Sequence, residues 1–399
     1  MSKIIIIFAE ISEVNLNLHF VCLLFMEQKL RIIVSGGGTG GHIFPAISIA
    51  NAIKAKRPDT DILFVGAEGR MEMQRVPAAG YQIIGLPICG FNRKNPFKNI
   101  EVIWKILKSQ HKAKKIVREF KPMAAVGVGG YASGPMLNVC AKKQIPCLIQ
   151  EQNSYAGVTN KLLAKKAQKI CVAYDGMERF FPAEKIIKTG NPVRQSLLEA
   201  TITHEDAAKK FGLNPEKPII LIVGGSLGAR TMNESVIQHL DLLEQSDVQL
   251  IWQTGKYYFE DIKKRLEEAG KSNLEQLKIT DFIGDMGAAY KAANLVISRA
   301  GASSISEFCL IGKPVILVPS PNVAEDHQTK NAMALVEKNA ALFVKDADAP
   351  EQLLDLALKT VNDKQQLHSL SENIAKLGLP NAADVIADEV IRLAEAYQQ

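Results

Sequence analysis

The residues whose types and spacing could do chemistry are mostly glycines. Gly36-Gly-Gly-Thr-Gly-Gly-His42 follows the apolar run Lys29-Leu-Arg-Ile-Ile-Val-Ser35 and precedes Ile43 to Lys56, which carries apolar residues at helical spacing. Glycines let a backbone approach a phosphate or a sugar oxygen closely, and the N-terminus of a following helix adds unpaired N–H donors and partial positive charge. Gly36, Gly38 and Gly41 match the dinucleotide fingerprint, with Glu68 in the region where such a site presents an acid. Tight turns would also use them. A phosphate loop of the Walker type is excluded, because no Gly-Lys-Ser/Thr follows. Three further loops also follow β-rich runs: Gly129-Gly-Tyr-Ala-Ser-Gly-Pro135, Gly224-Gly-Ser-Leu-Gly-Ala-Arg230 and Arg299-Ala-Gly-Ala-Ser-Ser-Ile-Ser-Glu307. Four such loops exceed what one dinucleotide requires. Two Asp-x-Asp triplets, Asp59-Thr-Asp61 and Asp346-Ala-Asp348, could suggest a divalent ion, but both lie away from the glycine loops and read as turns. No protein-held metal and no cofactor is expected.

The elements that position these loops repeat. Strand, glycine loop and helix at Lys29 to Lys56 recur where Pro218-Ile-Ile-Leu-Ile-Val223 runs into Gly224 and a second helical stretch. Short β-rich runs at Ile62 to Val65, Ala124 to Val128, Cys147 to Gln150, Leu295 to Ser298 and Val315 to Pro319 alternate with helical segments. That pattern predicts α/β architecture with parallel sheets covered by helices on both faces. The chain of 399 residues is long enough for two such domains. Gly190-Asn-Pro-Val-Arg194 is the expected hinge, so ligands should sit in a cleft between the halves, beyond the carboxyl ends of the strands. The expected division is an extension at 1–28, an N-terminal domain at 29–190 and a C-terminal domain at 191–380. A final helix at about 381–399 is expected to pack back on the first domain.

Taken together and in order, six motifs resemble the MurG family of glycosyltransferases. They are Gly36 to His42, Gly129 to Pro135, Glu151-Gln-Asn153, Gly190 to Arg194, Gly224 to Arg230 and Gly301 to Glu307. The resemblance implies a GT-B fold of two facing Rossmann-like domains. It implies inverting transfer of N-acetylglucosamine from UDP-GlcNAc to the 4-hydroxyl of the lipid-linked muramyl sugar, lipid I, in peptidoglycan synthesis. The acceptor would sit on the first half and the donor mainly on the second. Glu307 would take the ribose hydroxyls, Ser226 and the amides up to Arg230 the diphosphate, and Ala302, Ser303, Ser304, Ile305 and Ser306 would close around the nucleotide. The Ile283 backbone would read uracil, although a plain core isoleucine fits the same pattern. Asn153, Arg194 and Gln328 would contact the donor, as would Thr39, Gly40 and Gly41. Ser303 and Ser304 stand where relatives often carry leucine and threonine.

An inverting displacement calls for a general base. His42 is the first candidate, since it ends a glycine loop in the expected cleft and histidine titrates near neutral pH. Capping the helix or orienting substrates is its alternative role. Glu151 is the reserve base, and Tyr131 and Ser133 are expected to shape the acceptor pocket. Two other functions remain open: a UDP-GlcNAc 2-epimerase, which shares the fold and the donor, and a non-catalytic nucleotide-sugar-binding scaffold.

Charge points to the partner surface. The chain totals +6, yet 93–121 alone holds ten Lys/Arg against Glu101 and Glu119, so the remainder is slightly acidic. Phe91, Phe97, Ile103, Trp104, Ile106 and Leu107 are interleaved with those cations, as in a helix resting on an anionic membrane. Segment 91–121 is therefore expected to meet the lipid surface rather than nucleic acid, with the protein peripheral on the cytoplasmic side of the inner membrane. The six cysteines form no Cys-x-x-Cys pair, which fits a reducing compartment. Apolar runs before Met26 are too broken by polar residues to span a bilayer, and Met26 is the expected start.

Overall fold

A computed structural model describes residues 29–90, 99–193, 197, 201–225 and 227–397. Residues 1–28, the 91–98 part of the basic segment, Arg194 and Ser226 lie outside the described residues.

The first half alternates strand and helix: β1 (Arg31–Ser35), α1 (Gly40–Lys56), β2 (Asp61–Ala67), α2 (Glu72–Ala78), β3 (Gln82–Leu86), α3 (Asn99–Phe120), β4 (Ala124–Gly127), α4 (Ser133–Lys142), β5 (Cys147–Glu151), α5 (Val158–Leu163), β6 (Lys169–Val172) and β7 (Ile186–Lys188). The second half repeats the scheme with α6 (His204–Lys210), β8 (Ile219–Val223), α7 (Arg230–Gln238), α8 (Leu240–Glu244), β9 (Gln249–Gln253), α9 (Phe259–Glu268), β10 (Leu277–Thr280), α10 (Met286–Ala292), β11 (Leu295–Ser298), α11 (Ala302–Ile311), β12 (Val315–Leu317), α12 (His327–Val336) and β13 (Leu342–Phe343). Helices α13 (Ala349–Asn362), α14 (Lys364–Ala375) and α15 (Ala382–Ala396) complete the chain.

The strands form two parallel sheets, ordered β3-β2-β1-β4-β5-β6-β7 and β10-β9-β8-β11-β12-β13. The central strands β1, β4, β8 and β11 are buried on both faces, so they are largely apolar rather than alternating. In β1, Ile33 packs with Ala113, Ile116 and Met136 beneath α3 and α4, while Ile32 and Val34 pack with Ile43, Ile49 and Ile53 of α1. The second sheet divides the same way, with Leu221 toward Phe308 of α11 and Ile220 and Ile222 toward Met232 of α7. This is the two-domain GT-B architecture expected from the alternation.

Each sheet reverses its strand order once, between β1 and β4 and between β8 and β11. The paired strands there send their connections to opposite faces of the sheet, which leaves a crevice beyond their carboxyl ends. All four glycine loops leave those four strands, which is why they converge.

One detail differs from the sequence reading. Helix α1 begins at Gly40, not Ile43, so His42 lies in its first turn with its N–H and that of Ile43 both donated to Thr39 O. Glycines carry no apolar period, which hid the true start. Pro45 therefore falls in the second turn. Helix α15 returns to the first half, placing Ile386, Ala387, Val390 and Leu393 in the same core as Ile32, Val34 and Ile49.

Candidate active site

The loops after β1 and β4 touch through missing side chains. A Cβ on Gly130, whose φ is +87°, would run into the backbone of Gly37, and one on Gly129 would stand 2.9 Å from His42 Nε2. The Ser133 hydroxyl lies 2.7 Å from Ser35 O and 2.9 Å from Gly129 O, tying the ends of the two strands together. It is fully buried in that role, so it shapes the site from beneath rather than by touching a ligand. Tyr131 is half exposed, with its ring against Gly90.

His42 Nδ1 sits 3.0 Å from Gly37 O and 3.4 Å from Thr39 Oγ1. A carbonyl oxygen only accepts, so Nδ1 carries the proton and Nε2 holds the lone pair. Burial pushes the imidazole pKa below its ordinary 6.5 against the upward pull of the Glu151 charge and the Gly37 carbonyl; His327 adds to the lowering and Glu72 opposes it. The histidine is therefore neutral at pH 7 and able to accept a proton. His327 belongs to α12 of the second half, so its influence marks the two halves as meeting at this point.

Glu151, at the end of β5, is 2% exposed and accepts four hydrogen bonds. Oε1 takes Asn153 N (3.1 Å) and Asn153 Nδ2 (3.2 Å); Oε2 takes Gly157 N (3.0 Å) and Asn160 Nδ2 (2.8 Å). Its lone pairs are thus engaged by its own loop, an arrangement that holds 153–160 in place. Asn153 continues the chain of bonds, accepting from Asn331 Nδ2 at 3.1 Å, while Asn331 Oδ1 accepts from Ser154 N and Oγ. Asn331, fully buried in α12, joins this loop to the second half.

On that second half, Gly228 N donates to Gly225 O at 2.9 Å and Gly228 packs against Thr254 O, shaping the loop after β8. Arg299 Nη1 donates to Asp346 Oδ1 and to Val318 O, and Asp346 also accepts from Thr231 Oγ1 at 2.6 Å. The second Asp-x-Asp triplet thus helps link the loop after β11 to the first turn of α7. In the first triplet Asp59 lies 3.5 Å from Arg57 and Asp61 2.8 Å from Lys29. Glu68, weighed above as a ribose acid, instead pairs with Lys112 at 2.8 Å.

Glu307 in α11 is 7% exposed, its Oε2 accepting from Tyr290 OH at 3.0 Å. Gln328 Oε1 accepts from Ser320 N at 2.8 Å, which leaves the amide NH2 as its donor end. Ser303 Oγ is buried without a protein partner. Ile305 and Ile283 are core side chains, and Ala302 is buried at the start of α11. Ser306 turns toward the hinge: its hydroxyl donates to Ala302 O and accepts from Asn191 Nδ2, both at 3.0 Å. Sequence reasoning missed Glu72, Asn160 and Asn331, and gave Asn191, which lies inside the quoted hinge motif, no role of its own.

Helix α3 presents two apolar faces. Val102, Ala113, Ile116 and Val117 are buried against the sheet, whereas Ile103, Trp104 (63%) and Leu107 are exposed. Lys114, Lys115 and Arg118 of α3, with Lys142 at the end of α4 and Lys143 just past it, line a groove of about 470 Å³.

Residues 32–172 match the glycosyltransferase family 28 N-terminal domain and 219–386 match its C-terminal domain. A UDP-N-acetylglucosamine--N-acetylmuramyl-(pentapeptide) pyrophosphoryl-undecaprenol N-acetylglucosamine transferase of Phocaeicola vulgatus is 66% identical over 94% of this chain and 99% of its own length. The crystal structure of Acinetobacter baumannii MurG superposes with a TM-score of 0.71 at 28% identity, over 91% of this chain and 99% of that one. A UDP-GlcNAc 2-epimerase from Neisseria meningitidis also superposes, with a TM-score of 0.62, over 91% of this chain and all of that one. At 14% identity that likeness is one of fold alone.

Proposed function

This chain belongs to glycosyltransferase family 28, and from that premise we infer that it transfers N-acetylglucosamine from UDP-GlcNAc to the muramyl 4-hydroxyl of lipid I, forming lipid II for peptidoglycan. The observation that carries the mechanism is the 3.0 Å contact of His42 Nδ1 with Gly37 O, which assigns the proton to Nδ1 and leaves the Nε2 lone pair for a substrate proton.

In the reaction the muramyl oxygen attacks the anomeric carbon, its proton passes to His42 Nε2, and the bond to UDP breaks with its electron pair going to the β-phosphate oxygen. Configuration inverts in that single displacement. Charge builds on the departing diphosphate, and amides aimed at such charge are the most effective catalytic aid. The turn 224–230, including Ser226, and the first turn of α7 supply them. Glu307 takes the ribose, the Ile283 backbone the uracil, and Gln328 with Arg194 the sugar and phosphate side. Asn153 and the first turn of α1, Thr39 to Gly41, complete the donor contacts. Glu151 holds the loop facing His42, because its oxygens are already occupied by four donors. Tyr131 borders the acceptor.

The acceptor is a lipid, so the first half must reach a membrane. Among the described residues no helix is long and apolar enough to cross one. Ile103, Trp104 and Leu107 can instead enter the interface while the neighbouring lysines meet anionic head groups. This supports a peripheral position on the cytoplasmic face of the inner membrane.

The test is incubation with UDP-[14C]GlcNAc and a lipid I analogue. Label should move into lipid, only when the acceptor is present. Label that stays in sugar nucleotide, or appears in its 2-epimer, overturns the reading.

A further inference from the structure

Three carboxylates are buried among the described residues: Glu151, Glu307 and Glu72. The first two have places in the site. Glu72, at 0% exposure, has none yet. Burying an ionised carboxylate is costly unless it is well hydrogen-bonded, so its partners indicate what its position achieves. Its hydrogen-bond donors are backbone amides, Gly38 N to Oε2 and Ala67 N to Oε1, each at 2.9 Å. One belongs to the glycine loop after β1 and the other to the end of β2.

Room for this side chain depends on two absent ones. A Cβ on Gly37 would fall on the Glu72 carboxylate, and one on Gly66 would lie 2.5 Å from its Cγ. The loop is therefore fitted to the carboxylate.

The N–H of Gly38 and the carbonyl of Gly37 are opposite edges of one planar peptide unit. Glu72 accepts from the first edge, and the second accepts the Nδ1 proton of His42 at 3.0 Å. Hydrogen bonds in such a chain polarise one another, so an anion on the N–H side makes the carbonyl a stronger acceptor.

We propose that Glu72 is a positioning residue for His42, acting through the Gly37–Gly38 peptide to hold the imidazole as the Nδ1–H tautomer with Nε2 free for the acceptor proton. It does through one peptide what a carboxylate bonded directly to a catalytic histidine does elsewhere. The inference rests on the reading of His42 as the base. Electrostatics agree with the geometry: Glu72 pulls the imidazole pKa upward, less strongly than Glu151 or the Gly37 carbonyl, against the lowering by burial and His327.

Glu72→Gln is the test, because it keeps shape but sets an NH2 against one of the two amides. Turnover should fall roughly 10- to 100-fold, since small misplacement of a catalytic group has that effect. KM for UDP-GlcNAc should stay within about twofold, as expected when a group acts mainly in the transition state. The 15N shifts of the His42 ring should change from mostly Nδ1–H to a tautomer mixture, a readout that a purely structural role would leave unmoved. Glu72→Asp, too short to reach both amides, should show the same shift and serves if the Gln variant does not fold. Wild-type turnover with an unchanged Nδ1–H tautomer overturns the proposal. A His42→Ala variant that keeps its turnover sinks the base reading instead, while the ring shifts in Glu72→Gln still report whether the peptide link exists.

Discussion

His42 and Glu151 lie close enough to influence each other, yet their bonds assign them different work. His42 keeps one nitrogen free; Glu151 has four donors on two oxygens. Replacing His42 with alanine should lower kcat by about 10²- to 10⁴-fold, the usual worth of a general base, with KM for UDP-GlcNAc little altered in steady-state assays. Because burial depresses the imidazole pKa, the base form prevails at neutral pH and is lost only as pH falls through that lowered value. The acidic limb of kcat/KM should therefore lie below 6.5, and a limb above it would contradict the assignment. Glu151→Gln removes the largest upward electrostatic pull on His42, so the limb should move further down. The same change sets an amide NH2 against donors and should cost about 1–3 kcal/mol in urea unfolding. Among these residues His42 and Glu151 were legible because each sits in a contiguous motif. Glu72 and Asn331 were not, since each is a single polar residue in an ordinary helix that bonds a loop remote in sequence, Gly38 for Glu72 and Asn153 with Ser154 for Asn331.

At the scale of elements, apolar runs ending in glycine revealed β1, β4, β8 and β11. A fully buried parallel strand cannot be mistaken for a surface one, and a glycine loop marks where it stops. The start of α1 was hidden because Gly40 and Gly41 carry no side chain to show a period. Helix α3 was legible in charge but not in orientation: only the structure separates Val102 and Ile116, which face the sheet, from Ile103, Trp104 and Leu107, which face outward. Substituting those three with serine should leave unfolding free energy within about 0.5 kcal/mol per site, as surface changes do. Co-sedimentation with anionic vesicles should fall in the same protein. Reversing Lys112, Lys114 and Lys115 should weaken vesicle binding at least about tenfold, on roughly 1 kcal/mol per cation. Unchanged sedimentation in both variants would contradict the membrane role of this face.

The whole molecule is two copies of one plan joined at several points. Asn191 bonds Ser306, Asn331 bonds Asn153 and Ser154, Lys330 stands 3.4 Å over the Tyr155 ring, and Lys338 lies 3.6 Å from Asp175. Helix α15 crosses back to seal the first sheet. Ile386, Val390 and Leu393 together bury enough apolar surface to matter at about 1.5–3 kcal/mol each. Ending the chain at Pro380 should therefore leave the first half unstable, seen as insoluble protein or a large fall in melting temperature; a stable, soluble product would contradict that placement. Sugar transfer, in the proposed function, is made in one displacement between the facing halves. Its most direct test is the anomeric configuration, by NMR, of the disaccharide formed from UDP-GlcNAc and a lipid I analogue. A β-linked N-acetylglucosamine on the muramyl 4-oxygen is the predicted result, and an α-linked product, or none, would contradict it.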